Sequence, residues 1–537
     1  MKRGLIKSLF ITLSLYTFNI STPIKADEFS IILIPDTQSY TKKKENITYF
    51  ENQIKWIVQN KEKLNIVFIS HVGDVIDNPP NKLEELIKID NVCPKFLFKY
   101  ITNNNIRWKR ALNSLRHLEV NNAPIPYSVV PGNMDYDCWN NKKYNENFKK
   151  YFGAQRYLKR NWFLGYDTNQ SSFAQRFNAN GEPFIHIGLE WLPSDKSIEF
   201  AQNIMLDNPK IPVILTTHQY LKSKKKVSID KVGNTPHDTG NNSPKELFKK
   251  LIEPFPQIFM VLSGHYQGDA LLKTQTILNR DVIQILADYQ FDPNGGNGWL
   301  KILNINTSKN ILNVKSYSPN YIYSSNNIPN RYLDKFGNYT TELHIKKNIE
   351  FLKKHQLIHY REGQILRNNI YKGNIVKTIN YKNNNALKSN KDILLSNTQT
   401  NEDYALIKFN GIHTNPKFQI PKNVNIVKAI LTLTIEGDSK AKGSYGLYEI
   451  NDNWKNIIKS NHKRDKIDTS KLLVIDKYIN NINGTKSIDV TDSIKRWQKG
   501  APNYGWLLRA NDNSNLIIRS EKWKAITERP MITVIYK

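Results

Sequence analysis

FSIILIPDTQ, at residues 29–38, is the first of five segments in which an apolar, largely β-branched run ends in polar residues. The other four are LNIVFISHVGDVID at 64–77, IPYSVVPGNMD at 125–135, IPVILTTH at 211–218 and IFMVLSGHYQGD at 258–269. Runs of this kind predict buried strands. Because open α/β sheets gather their ligand groups at the C-terminal ends of the strands, the five segments predict one shared site.

The polar residues that follow these strands are suited to holding two divalent metal ions. Asp74, in GDVID, is the predicted bridge between the ions, because Gly73 permits the tight turn that directs its carboxylate into the site. The predicted ligands are Asp36, Gln38 and Gln267 for the first ion, Asn133, His218 and His265 for the second, and Asp74 for both. Two ions about 3.5 to 4 Å apart can clamp a phosphoryl group and generate hydroxide from a bridging water. The five segments therefore predict a site that cleaves phosphoesters.

These segments resemble the blocks DxH, GDxxD, GNH(D/E), H and GHxH of the calcineurin-like metallophosphoesterase superfamily, from about Phe29 to Tyr317. PDTQ at 35–38, THQYL at 217–221 and DYQFDPNGGNGWLKIL at 288–303 are similar to an exported bacterial branch of that superfamily. The resemblance implies an α/β fold, a four-layer α-β-β-α sandwich with a dinuclear metal centre. It also implies phosphatase or phosphodiesterase chemistry that uses a metal-bound hydroxide.

Two departures from the superfamily pattern affect the first metal ion. Gln38 and Gln267 stand where many members carry histidine. Amide and carboxylate oxygens are harder ligands than imidazole, so Mn²⁺, Fe or Mg²⁺ is favoured over Zn²⁺ at this position. The expected cofactors are two divalent metal ions, with Mn, Fe and Zn as candidates, and the first ion is expected to bind more weakly.

A third departure concerns the leaving group. Met134 stands where GNH carries a histidine that, in the superfamily, contacts the phosphate and assists the leaving group. A thioether cannot donate a proton, and general acid help is typically worth about 10² to 10⁴ in rate. The candidate replacement donors are His71, Asp135, Asp137 and His237, although His71 is better suited to a structural role at its strand end and His237 to a position facing solvent. The predicted catalytic residues are Asn133, Asp74, His218 and His71.

The N-terminus predicts export. Three basic residues precede an apolar stretch from Leu9 to about Ile20, and Ala26 precedes Asp27, as in a signal peptide covering residues 1–26. A membrane helix needs about 20 apolar residues, and no later segment supplies them. We therefore expect a mature protein without a transmembrane segment that is secreted, periplasmic or at the cell surface.

The rest of the chain divides into three predicted regions. Residues 27–323 alternate strand-like and helical runs, as in an α/β domain, and residues 324–377 form a connecting region. Residues 378–537 contain short alternating runs separated by Asn, Gly and Asp turns, which predict an all-β sandwich. GGNG at 295–298 predicts a tight hairpin turn. Export would permit a disulfide between Cys93 and Cys138, and two unpaired thiols are the alternative.

The C-terminal region resembles a second module. IVKAILTLTIEG at 426–437, SIDVTDSIKRWQKGAPNYGWLLRA at 487–510 and RPMITVIY at 529–536 are similar to the DNRLRE-type jelly-roll module of exported bacterial proteins. That resemblance implies attachment to a glycan or cell surface. Trp454 and Trp523 could stack on sugar rings, with packing inside the module as the alternative.

The charge of the chain bears on its partners. A formal net charge of +29, from 77 Lys and Arg against 48 Asp and Glu, favours phosphoester substrates and anionic glycans or cell-surface polymers. The chain lacks the Arg-rich helix or aromatic-interleaved basic stripe of nucleic-acid binders, so nucleic acid is not indicated. The leading prediction is an exported, metal-dependent phosphoesterase. The alternative is a degenerate metallophosphoesterase that binds a glycan or surface without efficient catalysis.

Overall fold

The structure is a computed structural model. It describes residues 27–77, 105–119, 124–137, 142–222, 226–227, 241–321, 338–366, 368–380, 392–397, 403–437, 444–454, 458–461, 464–467, 472–480, 484–511 and 514–537. The predictions for residues 1–26, Cys93, Cys138 and His237 lie outside these ranges.

The N-terminal part, residues 27–354, combines strands and helices. Its strands are β1 (Glu28–Ile34), β2 (Ile66–His71), β3 (Tyr127–Val129), β4 (Phe163–Tyr166), β5 (Phe173–Ala179), β6 (Glu182–Leu189), β7 (Val213–Gln219), β8 (Leu221–Lys222), β9 (Lys226–Val227), β10 (Ile258–Gly264), β11 (Gly268–Gln275), β12 (Asp281–Asp288), β13 (Leu300–Asn306), β14 (Ile311–Tyr317) and β15 (Tyr339–Glu342). Its helices are α1 (Gln38–Lys42), α2 (Ile47–Gln59), α3 (Asn105–Arg116), α4 (Glu146–Phe152), α5 (Asp195–Asp207), α6 (Pro244–Leu247), α7 (Pro293–Gly296) and α8 (Ile345–Lys354).

Two mixed sheets organise this part. The first has the strand order β15-β14-β13-β1-β2-β3, in which β1, β2 and β3 run parallel. The second has the order β11-β12-β10-β7-β6-β5-β4, in which β12, β10, β7 and β6 run parallel. The prediction of an α/β arrangement is confirmed at this level.

The alternation of side chains along β1 shows how the two sheets and the helices pack together. Phe29, Ile31 and Leu33 join a core shared with strands β10 and β12 of the second sheet. Ile32 and Ile34 point the other way and pack with helices α2 and α3. Helix α5 packs against β6 and β7 in a separate core of the second sheet. Burying each large apolar side chain is worth about 1.5 to 3 kcal/mol, so both faces of β1 contribute to stability.

The C-terminal part, residues 356–537, is built mainly of strands. They are β16 (Gln356–Arg361), β17 (Ile365–Leu366), β18 (Asn369–Ile370), β19 (Asn374–Asn380), β20 (Asp392–Asn397), β21 (Asp403–Phe409), β22 (Ile426–Gly437), β23 (Ser444–Ile450), β24 (Ile458–Asn461), β25 (Arg464–Ile467), β26 (Leu472–Asn480), β27 (Gly484–Asp489), β28 (Trp506–Ala510), β29 (Ser514–Arg519) and β30 (Met531–Tyr536), with helix α9 (Thr491–Gln498). One sheet has the order β16-β30-β22-β29-β20, with β27 also paired to β22, and another has the order β19-β21-β28-β23-β26. Residues from both sheets share one apolar core. The predicted all-β character of this part is confirmed.

The region predicted to connect the two parts is shared between them. Strand β15 pairs with β14 and so extends the first sheet of the N-terminal part. Strand β16 pairs with β30 in the C-terminal part. Helix α8, between them, buries Ile345 and Ile349 in the core between the two N-terminal sheets. The described residues of 338–361 therefore belong to one part or the other.

The two parts are joined by buried polar contacts. Lys250, with a side chain only 2% exposed, lies 3.0 Å from Asp195 and 2.9 Å from Glu528 of the C-terminal part. The guanidinium of Arg361 donates a hydrogen bond of 2.7 Å to the side-chain oxygen of Gln202.

Among the described residues, no helix is long and apolar enough to span a membrane.

The GGNG segment differs from its predicted hairpin. It connects β12 of the second sheet to β13 of the first, so it is a crossover between sheets. Residues 294–298 all have positive φ angles, which Asn and Gly tolerate best. The backbone N–H of Gly298 donates a hydrogen bond of 2.8 Å to the hydroxyl of Tyr40 in α1. The crossover therefore packs on α1, whose first residue, Gln38, is the last residue of the PDTQ segment.

Candidate metal centre

The predicted strand ends bring their polar residues to one place. Asp36 follows β1, Asp74 follows β2 and Asn133 follows β3, three parallel neighbours in the first sheet. His218 lies near the end of β7 and His265 follows β10, which are parallel neighbours in the second sheet. Contacts of His218 with Asp74 and Asn133 join these two groups of strand ends.

Four of the predicted ligands lie within contact distance. Asp74, His218 and His265 offer ligand atoms that are all within 4.8 Å of one another. Nε2 of His218 lies 3.3 Å from Oδ1 of Asp74 and 3.0 Å from Oδ1 of Asn133. Nδ1 of His265 lies 3.1 Å from Nε2 of His218. These atoms surround the position predicted for the second ion.

A backbone carbonyl fixes the ring of His218. Nδ1 of His218 lies 3.0 Å from the carbonyl oxygen of Val72 and donates a hydrogen bond to it. Nε2 then directs its lone pair at the acceptor oxygens of Asp74 and Asn133, an arrangement that needs a cation or a proton between them. Burial opposes a charge on His218, but the Asp74 carboxylate, together with Asp135 and the Val72 carbonyl, raises the pKa of the imidazole. Burial also opposes ionisation of Asp74, and His218 reverses that effect and lowers its pKa.

Two glycines allow the backbone to approach the Asp74 carboxylate. Gly73 has a φ of +105°, and a Cβ there would lie 2.7 Å from the backbone nitrogen of Gly132. A Cβ on Gly132 would lie 2.1 Å from Oδ1 of Asp74. The same oxygen accepts a hydrogen bond of 2.9 Å from the backbone N–H of Met134. Close packing of the GDVID and GNMD turns therefore sets the position of the carboxylate.

Asp36 and Gln38 occupy the other side of Asp74. Nε2 of Gln38 lies 3.1 Å from Oδ2 of Asp74 and also hydrogen-bonds to Oε1 of Gln290. Nε2 of Gln290 lies 3.1 Å from Oδ2 of Asp36. Burial raises the pKa of Asp36 well above its ordinary value, and the carboxylates of Asp288 and Asp74 raise it further. A cation bound beside these carboxyl groups would offset the cost of ionising them together.

Asp135 holds the two turns together. Its Oδ2 accepts backbone hydrogen bonds from Gly132, at 2.8 Å, and Val75, at 3.1 Å, and its Oδ1 accepts one from Ile76 at 3.0 Å. Burial raises the pKa of Asp135 to about 7, and the neighbouring Asp74 adds to the shift. Three backbone donors on one carboxylate indicate a structural role, not proton transfer to a leaving group.

His71, predicted as a catalytic residue, is engaged on both ring nitrogens. Nδ1 accepts a hydrogen bond of 3.1 Å from the backbone of Gly73, and Nε2 lies 2.9 Å from the hydroxyl of Thr37. The ring packs edge-on against Phe50, at 6.2 Å between centroids. Burial lowers the pKa of His71 to about 3, so the ring is neutral near pH 7. These contacts favour the structural role for His71.

The remaining predicted residues lie outside this cluster of contacts. Gln267 is exposed, between β10 and β11. Asp137 accepts hydrogen bonds from the side chain and backbone of Asn147, at 2.6 and 3.1 Å. Met134 is partly exposed, and its backbone contacts Asp74. The roles predicted for Gln267 and for the Met134 side chain stay predictions.

Two residues of the site are absent from the predicted set. Asp288 is the last residue of β12 and Gln290 follows it. Because β12 runs parallel to β10, both residues lie at one more strand end of the same edge. DVIQILADYQ at 281–290 has the same pattern of an apolar run followed by polar residues that marked the other five segments. That pattern could have identified both residues.

Comparisons with known proteins agree with this geometry. Residues 29–267 match the model of the calcineurin-like phosphoesterase family. This match supports a calcineurin-like phosphoesterase domain in this part of the chain. The described strand ends that carry Asp36, Asp74, Asn133, His218 and His265 all lie within it.

The chain is also similar, at low sequence identity, to one curated protein and to several solved structures. The uncharacterized protein YvnB of Bacillus subtilis (strain 168) is 28% identical over 340 residues, which cover 61% of this chain and 23% of YvnB. This chain therefore spans about a quarter of that relative's length. Among solved structures, GAP50 of Plasmodium is 14% identical with a TM-score of 0.32, over 59% of this chain and 88% of GAP50. PhoD is 12% identical with a TM-score of 0.31, over 55% of this chain and 66% of PhoD.

The residues of the phosphoesterase domain fit the divalent metals that its family uses. Oδ1 of Asp74 and Oδ1 of Asn133 lie 3.3 and 3.0 Å from Nε2 of His218. On the other side, Oε1 of Gln38 is buried without a hydrogen-bond partner, which is costly for a polar atom unless a cation or donor faces it. Carboxylate, amide and imidazole groups are all ordinary ligands for Mn²⁺, Fe²⁺ and Zn²⁺.

Proposed function

We propose that this chain is an exported, metal-dependent phosphoesterase whose site holds two divalent cations bridged by Asp74. The observation that carries the proposal is the convergence of Asp74, Asn133, His218 and His265 at the joined strand ends of two sheets. Without a cation, so many buried acceptors facing one another would be unfavourable. Asp36 and Gln38 would hold the first ion, and the site around His218 would hold the second.

The residues of the chain have separate tasks in this proposal. When bound, the two cations would neutralise charge on the phosphoryl oxygens and lower the pKa of a water molecule. The hydrogen bond to Val72 keeps Nε2 of His218 directed at the site. Asp135 keeps the turn that carries Asn133 in place through its three backbone hydrogen bonds. A rigid site of this kind contributes to the rate by positioning the substrate.

The expected substrates are phosphodiesters or activated monoesters. The thioether of Met134 cannot protonate a leaving group. Of the replacement donors considered, His71, Asp135 and Asp137 are occupied by structural hydrogen bonds. We therefore expect better turnover when the leaving group departs as a stable anion, such as a nitrophenolate, than when it is an alkoxide.

Hydrolysis of bis(p-nitrophenyl) phosphate by the full chain tests the proposal. The assay compares added Mn²⁺ with chelator, and the wild type with Asp74→Asn. Asp281→Asn is a matched control, because Asp281 lies at the opposite end of β12 and pairs with Lys273. We expect metal-dependent turnover in the wild type and in Asp281→Asn, and its loss in Asp74→Asn. Absence of turnover with Mn²⁺, Fe²⁺ and Zn²⁺ alike would contradict the proposal.

The proposal extends to the finer architecture. We assign residues 1–26 to a signal peptide, residues 27–323 to a four-layer α-β-β-α sandwich and residues 378–537 to a jelly-roll that attaches to an anionic glycan or surface polymer. The net charge of +29 supports an anionic partner. Neither candidate tryptophan is fully exposed: Trp454 packs beside Tyr504, and the Arg519 guanidinium lies 3.7 Å from the centre of the Trp523 ring.

A degenerate phosphoesterase that serves as a binding protein is the second candidate. The methionine at position 134 and the exposure of Gln267 favour it. It predicts retention on an acidic polysaccharide column in the presence of chelator, together with no turnover. The leading proposal predicts turnover whether or not the chain is retained, so the two assays separate the candidates.

A further inference from the structure

We infer that Gln290, not Gln267, completes the first metal site, and that Asp288 is the residue that positions it. The inference rests on the proposed function, because it concerns the same pair of cations. It names a ligand outside the five sequence motifs and replaces the role that the motif spacing gave to Gln267.

The side chain of Gln290 lies among the ligands predicted for the first ion. It is 7% exposed, and its Nε2 is 3.1 Å from Oδ2 of Asp36. Its Oε1 is hydrogen-bonded by Nε2 of Gln38, which in turn lies 3.1 Å from Oδ2 of Asp74. Gln290 therefore sits between two ligands that the sequence assigns to this ion.

Asp288 fixes which end of the Gln290 amide faces the site. Oδ2 of Asp288 lies 3.0 Å from Nε2 of Gln290, and Oδ1 lies 3.0 Å from its backbone nitrogen. Asp288 is fully buried. Because Asp288 and Asp36 both accept from Nε2, the carbonyl oxygen Oε1 is left to point toward Gln38. An amide oxygen oriented in this way is a good ligand for a hard cation.

The Gln38 side chain supplies the second, independent observation. Its Oε1 is buried without a hydrogen-bond partner, whereas its Nε2 makes two hydrogen bonds toward the site. The two ends of an amide are assigned from the hydrogen-bond network, and rotation by 180° exchanges them. That rotation would place Oε1 of Gln38 beside Oε1 of Gln290 and Oδ2 of Asp74. Three oxygens would then face one point, which is the requirement for a cation ligand set.

Gln267 has no comparable geometry. Its side chain is exposed, and none of the hydrogen bonds found among the described residues joins it to Asp36, Gln38 or Asp74. A first site made of Asp36, Asp74, Gln38 and Gln290 would offer only oxygen ligands. Such a set favours Mn²⁺ or Mg²⁺ over Zn²⁺.

Metal stoichiometry tests the assignment without using turnover. The full chain, Gln290→Ala, Gln267→Ala and Gln290→Glu are equilibrated with Mn²⁺ by dialysis, and bound manganese is measured by elemental analysis. We expect two ions per chain for the wild type, Gln267→Ala and Gln290→Glu, and one for Gln290→Ala. Electron paramagnetic resonance should show a coupled Mn²⁺ pair in the wild type, Gln267→Ala and Gln290→Glu, and an isolated Mn²⁺ in Gln290→Ala. Asp288→Asn, which keeps the size of the side chain, should raise the dissociation constant of the first ion several-fold.

The outcomes distinguish a failure of this assignment from a failure of the proposed function. Two ions in Gln290→Ala, with two in the wild type, would overturn the assignment and leave the dinuclear site intact. One ion in Gln267→Ala and two in Gln290→Ala would return the role to Gln267. A wild-type chain that holds fewer than two ions would overturn the dinuclear centre and the assignment together. Gln290→Glu retains an oxygen ligand, so its two ions would show that a lost ion in Gln290→Ala is not a folding defect.

Discussion

Replacement of Gly132 by alanine tests how the site is held together. A Cβ at this position would lie 2.1 Å from Oδ1 and 2.3 Å from the backbone nitrogen of Asp74. Ordinary contact begins near 3.4 Å, so the carboxylate oxygen would have to move by about 1.3 Å. The movement would also disturb the hydrogen bond from the Met134 N–H to that oxygen, now 2.9 Å long.

Two magnitudes follow from this displacement. Overpacking in a closely packed region typically costs about 1 to 3 kcal/mol, so we expect a free energy of unfolding lower by that amount. A misplacement of about 1 Å in a catalytic group can cost about 10²-fold in rate. Because Asp74 is the proposed bridge, Gly132→Ala should lose about 10²-fold in turnover and at least one bound Mn²⁺, while the chain stays folded.

Gly181→Ala provides the matched control. Gly181 lies in the turn between β5 and β6, at the end of β6 away from the site, and a Cβ there meets nothing within 4 Å. Its φ of +79° still makes alanine unfavourable, by about 1 kcal/mol. Turnover of bis(p-nitrophenyl) phosphate, bound manganese and urea unfolding are measured for both variants. If Gly132→Ala keeps its metal and stays within two-fold of the control in turnover, the close approach of the turns does not position Asp74.

Three further predictions concern the leaving group, the contact between the two parts, and pH. Met134→His should raise turnover of an alkyl phosphodiester by about 10² or more and that of bis(p-nitrophenyl) phosphate much less, because only the alkoxide needs a proton; equal gains would refute this. Lys250→Met leaves Asp195 and Glu528 without their buried partner and should lower the free energy of unfolding by about 3 to 5 kcal/mol, measured in urea, with turnover unchanged. Burial, helped by a nearby guanidinium, lowers the pKa of His359 to about 3, so its contribution to stability is complete above about pH 6.5 and is lost as pH falls. Between pH 7.5 and 5.5 this loss is about 1.4 kcal/mol, and His359→Gln should remove it from urea unfolding measured at the two pH values.

Much of the site could be predicted because each ligand is marked by the few residues that precede it in the sequence. Each apolar run predicts its own strand, and the residue after the run is then at a strand end whatever the rest of the chain does. Asp36, Asp74 and Asn133 follow three parallel neighbours as expected, and His218 and His265 belong to adjacent strands of the second sheet. The predictions at this level needed only the period of the pattern and the tendency of α/β sheets to place ligands at one edge.

The orientation of individual side chains could not be predicted in the same way. Gln267 lies two residues after His265, but His265 has a φ of +70°, and the turn leaves Gln267 exposed. Gln290 lies beside Asp36 and hydrogen-bonds to Asp288, and the five sequence motifs record neither contact. Turn composition also has limits: GGNG indicates positive φ angles, but it does not indicate which strands are joined.

If the site holds two ions, as proposed, the distribution of histidine argues for unequal affinities. His218 and His265 remain beside Asn133, so the second position keeps nitrogen ligands that bind transition metals well. The position beside Asp36 and Gln38 offers only oxygen atoms, and part of its negative charge is opposed by burial, which raises the pKa of Asp36. The second ion should therefore stay bound during purification, while the first exchanges with the medium. If so, turnover would follow the concentration of free Mn²⁺ even in a chain that already contains one metal ion, and the first site would set the metal dependence of the enzyme.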